Sequence, residues 1–189
     1  MLESQDDILS SKRHISDMAL LSSTDEMMAE GTEKLEKQSF SLDNNFTQTD
    51  GLKHYESRDE LEPLTDGNPL KKFKAAIDRL TTSKDWNLQF DACNIVRRVC
   101  KFHQDLVLQN GATLVSLIKQ LSKLADSLRS SVARIALITI SDMFAYLKRC
   151  MEAFLDPLIK VLLKRGADTS NAFISDEASR ALQSMTENC

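Results

Sequence analysis

From Pro69 to the end of the chain, apolar residues at helical spacing alternate with short polar breaks, and three of the breaks recur at a near-constant interval. Their centres fall near residues 84, 127 and 169, steps of about 42 to 43 residues. Between and around them the spacing predicts helices at about 69–81, 86–101, 111–124, 129–148, 152–165 and 174–187. Local punctuation supports this division. Asn68 is suited to cap the first helix with Pro69 in its first turn, and Asp85 precedes Trp86 as a cap for the second. Asn110-Gly111 separates the first pair from the next, Asp126 and Ser127 precede the fourth helix, Gly166 ends the fifth, and Ser175 with Asp176 opens the sixth.

Six helices in sequential pairs, repeating every 40-odd residues, fall within the roughly 40–47 residue period of HEAT and armadillo repeats. The expected fold is all-α: a HEAT-repeat (armadillo-like) α-α superhelix of about three helical hairpins over residues 67–189. The second helices of two pairs echo one another, Leu128, Ala133 and Ala136 repeating at the spacing of Phe173, Ala178 and Ala181. In the second helix Leu88, Ala92, Ile95, Val96 and Val99 share one arc, while Asp91, Asn94, Arg97 and Arg98 fill the other. The fourth helix is apolar nearly all round, from Val132 to Leu147, as befits the middle of a stack. The fifth presents Phe154, Leu155, Leu158, Ile159, Leu162 and Leu163.

Charge divides the chain more sharply than its total of −4 indicates. Residues 1–66 carry 6 basic against 16 acidic side chains, net −10, and residues 67–189 carry 18 against 12, net +6. The first stretch is rich in Ser, Thr, Asp and Glu and holds no sustained apolar period, so it cannot bury enough surface to offset its ordering entropy. It is expected to be a disordered acidic tail over residues 1–66, joined to a basic folded half that favours an acidic partner.

Catalytic chemistry finds no foothold. His14, His54 and His103 are scattered, no nucleophile–base pair or carboxylate pair falls on one face by spacing, and the five glycines do not cluster into a phosphate loop. Cys93 and Cys100 are seven apart on one helix face and read as buried small apolar residues rather than metal ligands. The expectation is a non-enzyme without cofactor or metal, with free thiols in a reducing, cytoplasmic setting and no membrane contact, since no signal segment and no run of some 18 apolar residues is apparent.

A protein partner is the simpler destination. Consecutive hairpins place their internal loops along one edge of the stack. That edge would carry Lys84-Asp85-Trp86, then Ser127-Leu128-Arg129-Ser130, then Thr169-Ser170-Asn171-Ala172-Phe173. The single Trp lies off its helix's apolar arc, in the first turn, where an indole can anchor an interface. Phe173 reads as a hydrophobic staple ahead of the last helix.

The same stretches resemble a known family. Lys84-Asp85-Trp86-Asn87-Leu88-Gln89-Phe90-Asp91-Ala92 resembles the first-repeat signature of TOG domains. Asp126-Ser127-Leu128-Arg129-Ser130-Ser131-Val132-Ala133-Arg134-Ile135-Ala136 is similar to the second repeat of the CLASP-type branch, and residues 162–185 resemble the third repeat in CLASP and in the crescerin (TOG-array regulator of axonemal microtubules) proteins. The resemblance covers the first three HEAT repeats of such a domain. It implies binding of tubulin or microtubules through the loop edge, in the cytoskeleton and in cilia, with Trp86 inserted against the partner. Lys84, Ser127, Arg129, Ser170 and Asn171 would add polar and basic contacts. Gln89 departs from the Arg common in the family three residues after the Trp. With the later repeats absent, the last hairpin would leave an open apolar face for self-association, with Leu182 and Met185 on it.

The alternatives are a generic HEAT-type protein–protein adaptor that does not bind tubulin, and nucleic-acid binding by the +6 half. The second ranks lower because its aromatic residues are not interleaved with Lys and Arg. In the acidic stretch, Thr47, Gln48 and Thr49 resemble the anchor of the dynein light chain hub, which adds an extended peptide to a sheet edge.

Overall fold

The computed structural model describes residues 53–189, and all regular structure among them is helical. The elements are α1 (Pro69–Thr82), α2 (Trp86–Phe102), α3 (Gln104–Gln109), α4 (Gly111–Ala125), α5 (Ser130–Leu147), a 3-10 segment (Lys148–Phe154), α6 (Leu155–Gly166) and α7 (Ala172–Asn188). The three expected hairpins are α1–α2, α4–α5 and α6–α7. They stack so that α1, α4 and α6 form one layer and α2, α5 and α7 the other, with α5 packed on both α2 and α7.

Local chemistry accounts for most of the ends. Asn68 accepts hydrogen bonds from the backbone N–H groups of Leu70 (2.9 Å) and Lys71 (3.2 Å), and Pro69 stands first in α1. Asp85 accepts from the Asn87 N–H at 2.9 Å and starts α2. The sixth helix begins earlier than Ser175 and Asp176 indicate. Asn171 caps it by accepting from the Ile174 N–H at 3.3 Å, which leaves Phe173 inside the first turn rather than ahead of it. Short α3 occupies a stretch that the sequence reads as a break. It buries Val107, and Asn110 donates from its side chain to the Leu106 carbonyl at 2.8 Å instead of capping α4.

The core runs continuously through the stack, from Phe73, Ile77 and Leu80 in α1 to Ile174, Ala178 and Ala181 in α7. In the centre, α5 buries Val132, Ile135, Ala136, Leu137, Ile140, Met143, Phe144 and Leu147. The stretch Ser130–Gly166 is apolar and long enough to cross a membrane, but 67% of its most apolar window is buried within the fold, so packing explains its hydropathy. At the far end Leu182 and Met185 pack against the core and Leu163 is exposed.

The compact unit begins at Lys53, not at residue 67. Residues 53–66, which composition assigns to the disordered tail, lie across α2 and α5. Their charges find partners there: Lys53 pairs with Asp91 at 2.7 Å, Glu56 with Arg98 at 2.6 Å and Arg58 with Asp142 at 2.9 Å. Tyr55 meets the Phe90 ring edge-on with centroids 5.1 Å apart, and Leu61 is buried. This segment, the strap below, covers the polar arc of α2. Arg97 and Asn94, expected to face solvent, are therefore buried.

Candidate functional site

The three hairpin loops are physically joined along one edge. In the first, Trp86 is half-buried at the start of α2, and Arg129 from the second loop lays its guanidinium 5.0 Å from the indole centroid. A cation over an indole face attracts the ring quadrupole, contributing about 0.5–1 kcal/mol where solvent reaches it. The Arg129 backbone N–H donates to the Ser127 hydroxyl at 3.2 Å, which turns the loop so that Leu128 projects fully into solvent.

The second and third loops are tied by the end of α6. Arg165 donates to the Ser127 carbonyl at 3.1 Å and pairs with Asp168 at 3.3 Å, and Lys164 holds Asp126 at 2.7 Å. Asp168 in turn accepts from the Ser170 hydroxyl (2.5 Å) and backbone N–H (3.0 Å), and those bonds hold its carboxyl below the usual range. Asn171 is occupied as the α7 cap.

Of the residues singled out from sequence, Trp86, Ser127 and Arg129 thus form one cluster. Ser170 and Asn171 sit in the third loop, joined to it through Arg165, and Lys84 is exposed outside this web. Sequence reasoning set Leu128 and Phe173 on this edge without a contact role and passed over Arg165. Leu128, bare in a run of polar residues, is the clearest apolar tip. Phe173 is 69% exposed with the Arg134 guanidinium 5.6 Å from its centroid. Arg165 carries the link between loops, and nothing local in the sequence marks it.

The edge therefore alternates apolar tips (Trp86, Leu128, Phe173) with guanidinium groups (Arg129, Arg134). This is the chemistry of a protein-docking surface, in which aromatic residues and Arg supply most of the hold. Among the described residues no group of three His, Cys, Asp or Glu side chains is placed to hold a metal ion. Cys93 and Cys100 are fully buried. Burial pushes the Cys93 thiol up to about 12 and raises Cys100 as well, opposite to what a reactive thiolate requires.

A two-layer stack of hairpins at this period, with its loops gathered on one edge, defines a HEAT-type helical-repeat domain. The chain is 29% identical over 177 residues to the human (Homo sapiens) protein "TOG array regulator of axonemal microtubules protein 1", a match taking in 88% of this chain and 10% of the relative. It is 32% identical over 111 residues to the Mus musculus protein of the same name, covering 58% of this chain and 6% of the relative. It is 28% identical over 106 residues to "Crescerin-like protein che-12" of Caenorhabditis elegans, covering 56% and 8%. The chain spans a tenth or less of the length of these relatives. No protein-family model matches it, and no solved structure does. The matches support a TOG domain of the crescerin type, the family that the Trp86, Arg129 and third-repeat segments resemble.

Proposed function

We propose that this domain binds tubulin or microtubules through its loop edge, as a non-catalytic part of the ciliary cytoskeleton. The observation that carries the reading is the Trp86–Arg129 pair: a half-buried indole braced by a guanidinium, at the centre of an edge that also presents Leu128 and Phe173. Two curated relatives are named as regulators of axonemal microtubules, which supports the microtubule as the partner class. Tubulin's acidic surface suits the cations at this edge, Lys84 and Arg129 among them. Such complementarity speeds and orients association more than it strengthens the complex. Ser127, Ser170 and Asn171 act mainly by fixing loop shape, since the first accepts from Arg129, the second donates to Asp168 and the third caps α7.

Co-sedimentation with microtubules and gel filtration with free tubulin test this directly. Trp86→Ala is expected to weaken binding by at least about 30-fold, the effect of an anchoring aromatic worth about 2 kcal/mol. Arg129→Ala should weaken it less and reduce its salt dependence. Absence of binding at low salt, or binding indifferent to Trp86→Ala, would remove the tubulin reading and leave an adaptor for some other protein.

A further inference from the structure

A second surface lies on the layer of α2 and α5, adjoining the loop edge at Arg134, whose guanidinium stands 4.4 Å from the Tyr55 centroid and 5.6 Å from that of Phe173. Here the strap occupies a groove in extended form, with no regular structure except a turn at residues 58–60. The groove reads the strap position by position. Asp91 takes Lys53 at 2.7 Å. Phe90 takes the Tyr55 ring, whose hydroxyl donates to the Ser131 carbonyl at 3.3 Å. Arg98 grips both oxygens of Glu56 at 2.6 Å. Asp142 accepts from Arg58 at 2.9 Å, with the Ser141 hydroxyl alongside at 3.2 Å. Leu61 is buried at the end.

The rest of the grip falls on backbone that any sequence offers. Arg97 donates to the Glu56 carbonyl at 2.7 Å, and Lys101 to the carbonyls of Arg58 (2.8 Å) and Leu61 (3.1 Å). Side chains of α2 hold the strap's carbonyls, while the positions of Lys53, Tyr55, Glu56, Arg58 and Leu61 select its sequence, so that affinity and specificity are divided between backbone and side chains.

We propose that this face is a docking groove for an extended peptide of a partner protein carrying Lys-x-Tyr-Glu-x-Arg-x-x-Leu, and that residues 53–61 are the chain's own competitor for it. Three features favour exchange over a fixed strap. Two of its three ion pairs keep solvent contact, with side-chain exposures of 32% and 48% for Lys53–Asp91 and 23% and 26% for Arg98–Glu56, whereas Arg58 (42%) reaches a carboxylate, Asp142, that is only 3% exposed. Solvated pairs of that kind hold weakly. The strap reaches α1 through residues 62–68, nearly all exposed and turning at Gly67 (φ 76°), so its departure moves no packed helix. It also fills the groove incompletely. A cavity of about 260 Å³ lies beside it, walled by Tyr55, Ser57, Arg134, Ile138, Glu177 and Arg180, into which a partner segment can extend.

The test uses the full chain and a fluorescent nonapeptide with the sequence of residues 53–61. Tyr55→Ala, Glu56→Ala and Arg58→Ala together weaken the strap while sparing the groove. Fluorescence anisotropy should show the peptide binding this variant at least ten-fold more tightly than the unaltered chain. Adding Arg98→Glu should abolish that binding, and a peptide with Glu56→Lys should restore it. Equal affinity for altered and unaltered chains, or failure of the charge exchange in a variant with native circular dichroism, overturns the proposal. Should the triple variant not fold, the Tyr55 ring resonances of the unaltered chain decide, since that ring is held against Phe90 only while the strap is seated: saturating peptide should move them to the positions of a free tyrosine, and unchanged positions overturn the proposal. A dimer of unaltered chains that Arg98→Glu dissolves would make the occupant a second copy's strap, also against it.

Discussion

Arg97 is among the largest fully buried side chains of the described unit, yet its helix gives no sign of this. On α2 it stands across from the stripe of Ala92, Val96 and Val99, where a projection assigns it to solvent. It is buried because Asp142, 45 residues on, accepts from its Nε at 2.7 Å while the strap closes over both. A buried ion pair adds little net stability over an apolar pair, but removing one partner strands the other. Arg97→Ala should therefore cost about 3–5 kcal/mol. Arg98→Ala on the next residue, where the Glu56 pair is partly solvated, should cost less than about 1 kcal/mol. Urea unfolding of the two variants measures the contrast, and equal losses would contradict it. The thiols divide by the same criterion. Burial raises the thiols of Cys93 and Cys100, so the folded state holds them neutral. That contribution is complete below the unfolded thiol value near about 8.5 and declines as pH rises toward 12. At pH 8 a thiol reagent should react quickly with exposed Cys150, more slowly with Cys189, whose thiol is raised by partial burial and by Glu152, and reach the other two only on unfolding.

At the scale of the element, what could be read from sequence was what local chemistry decides. Asn68 and Asp85 cap because their side-chain oxygens reach amides two and three residues on, a relation written in adjacent letters. The start of α7 misled because Asn171 and Ser175 are both competent caps, and only the chain's path after Gly166 chooses between them. Ser175 is used differently: its hydroxyl donates to the Gly166 carbonyl at 2.7 Å, sealing the end of α6. The end of α5 was legible only approximately. There Lys148 adopts φ 50°, ψ −133°, the one positive φ among the described non-glycine residues, and a 3-10 segment follows. A side chain is strained in that region at about 1–3 kcal/mol, whereas glycine enters it freely but loses more entropy on folding, about 0.5–1 kcal/mol. The difference favours glycine. Lys148→Gly should raise stability by about 1 kcal/mol in thermal unfolding. A loss would show that the Lys148 side chain makes a contact outweighing its strain.

For the whole molecule, the stack was visible in sequence because each hairpin is a local object repeated, and its core positions follow a fixed period. The same holds in part for the site: Trp86, Ser127 and Arg129 sit at loop positions set by the period, whereas Arg165 and Phe173 join them only through contacts between repeats. The strap is the limiting case, since its residues show no period and every contact that anchors it to α2 and α5 spans about 35 residues or more. Chain ends chosen at different places should expose this. A chain starting at residue 53 retains the strap, and one starting at residue 67 loses it. The shorter chain gives up the burial of Leu61, about 2 kcal/mol, and opens Arg97 and Asp142 to water, where their pairing weakens as their hydration improves. Because those two electrostatic changes oppose each other, the apolar loss sets the net effect, and the melting temperature should fall by roughly 5–10 °C. The core of α1 to α7 does not depend on the strap, so the shorter chain should still unfold in one transition with its helical content largely kept. If it melted at the same temperature, the strap would add nothing to the folded unit, and the boundary read from composition at residue 67 would be the energetic one as well.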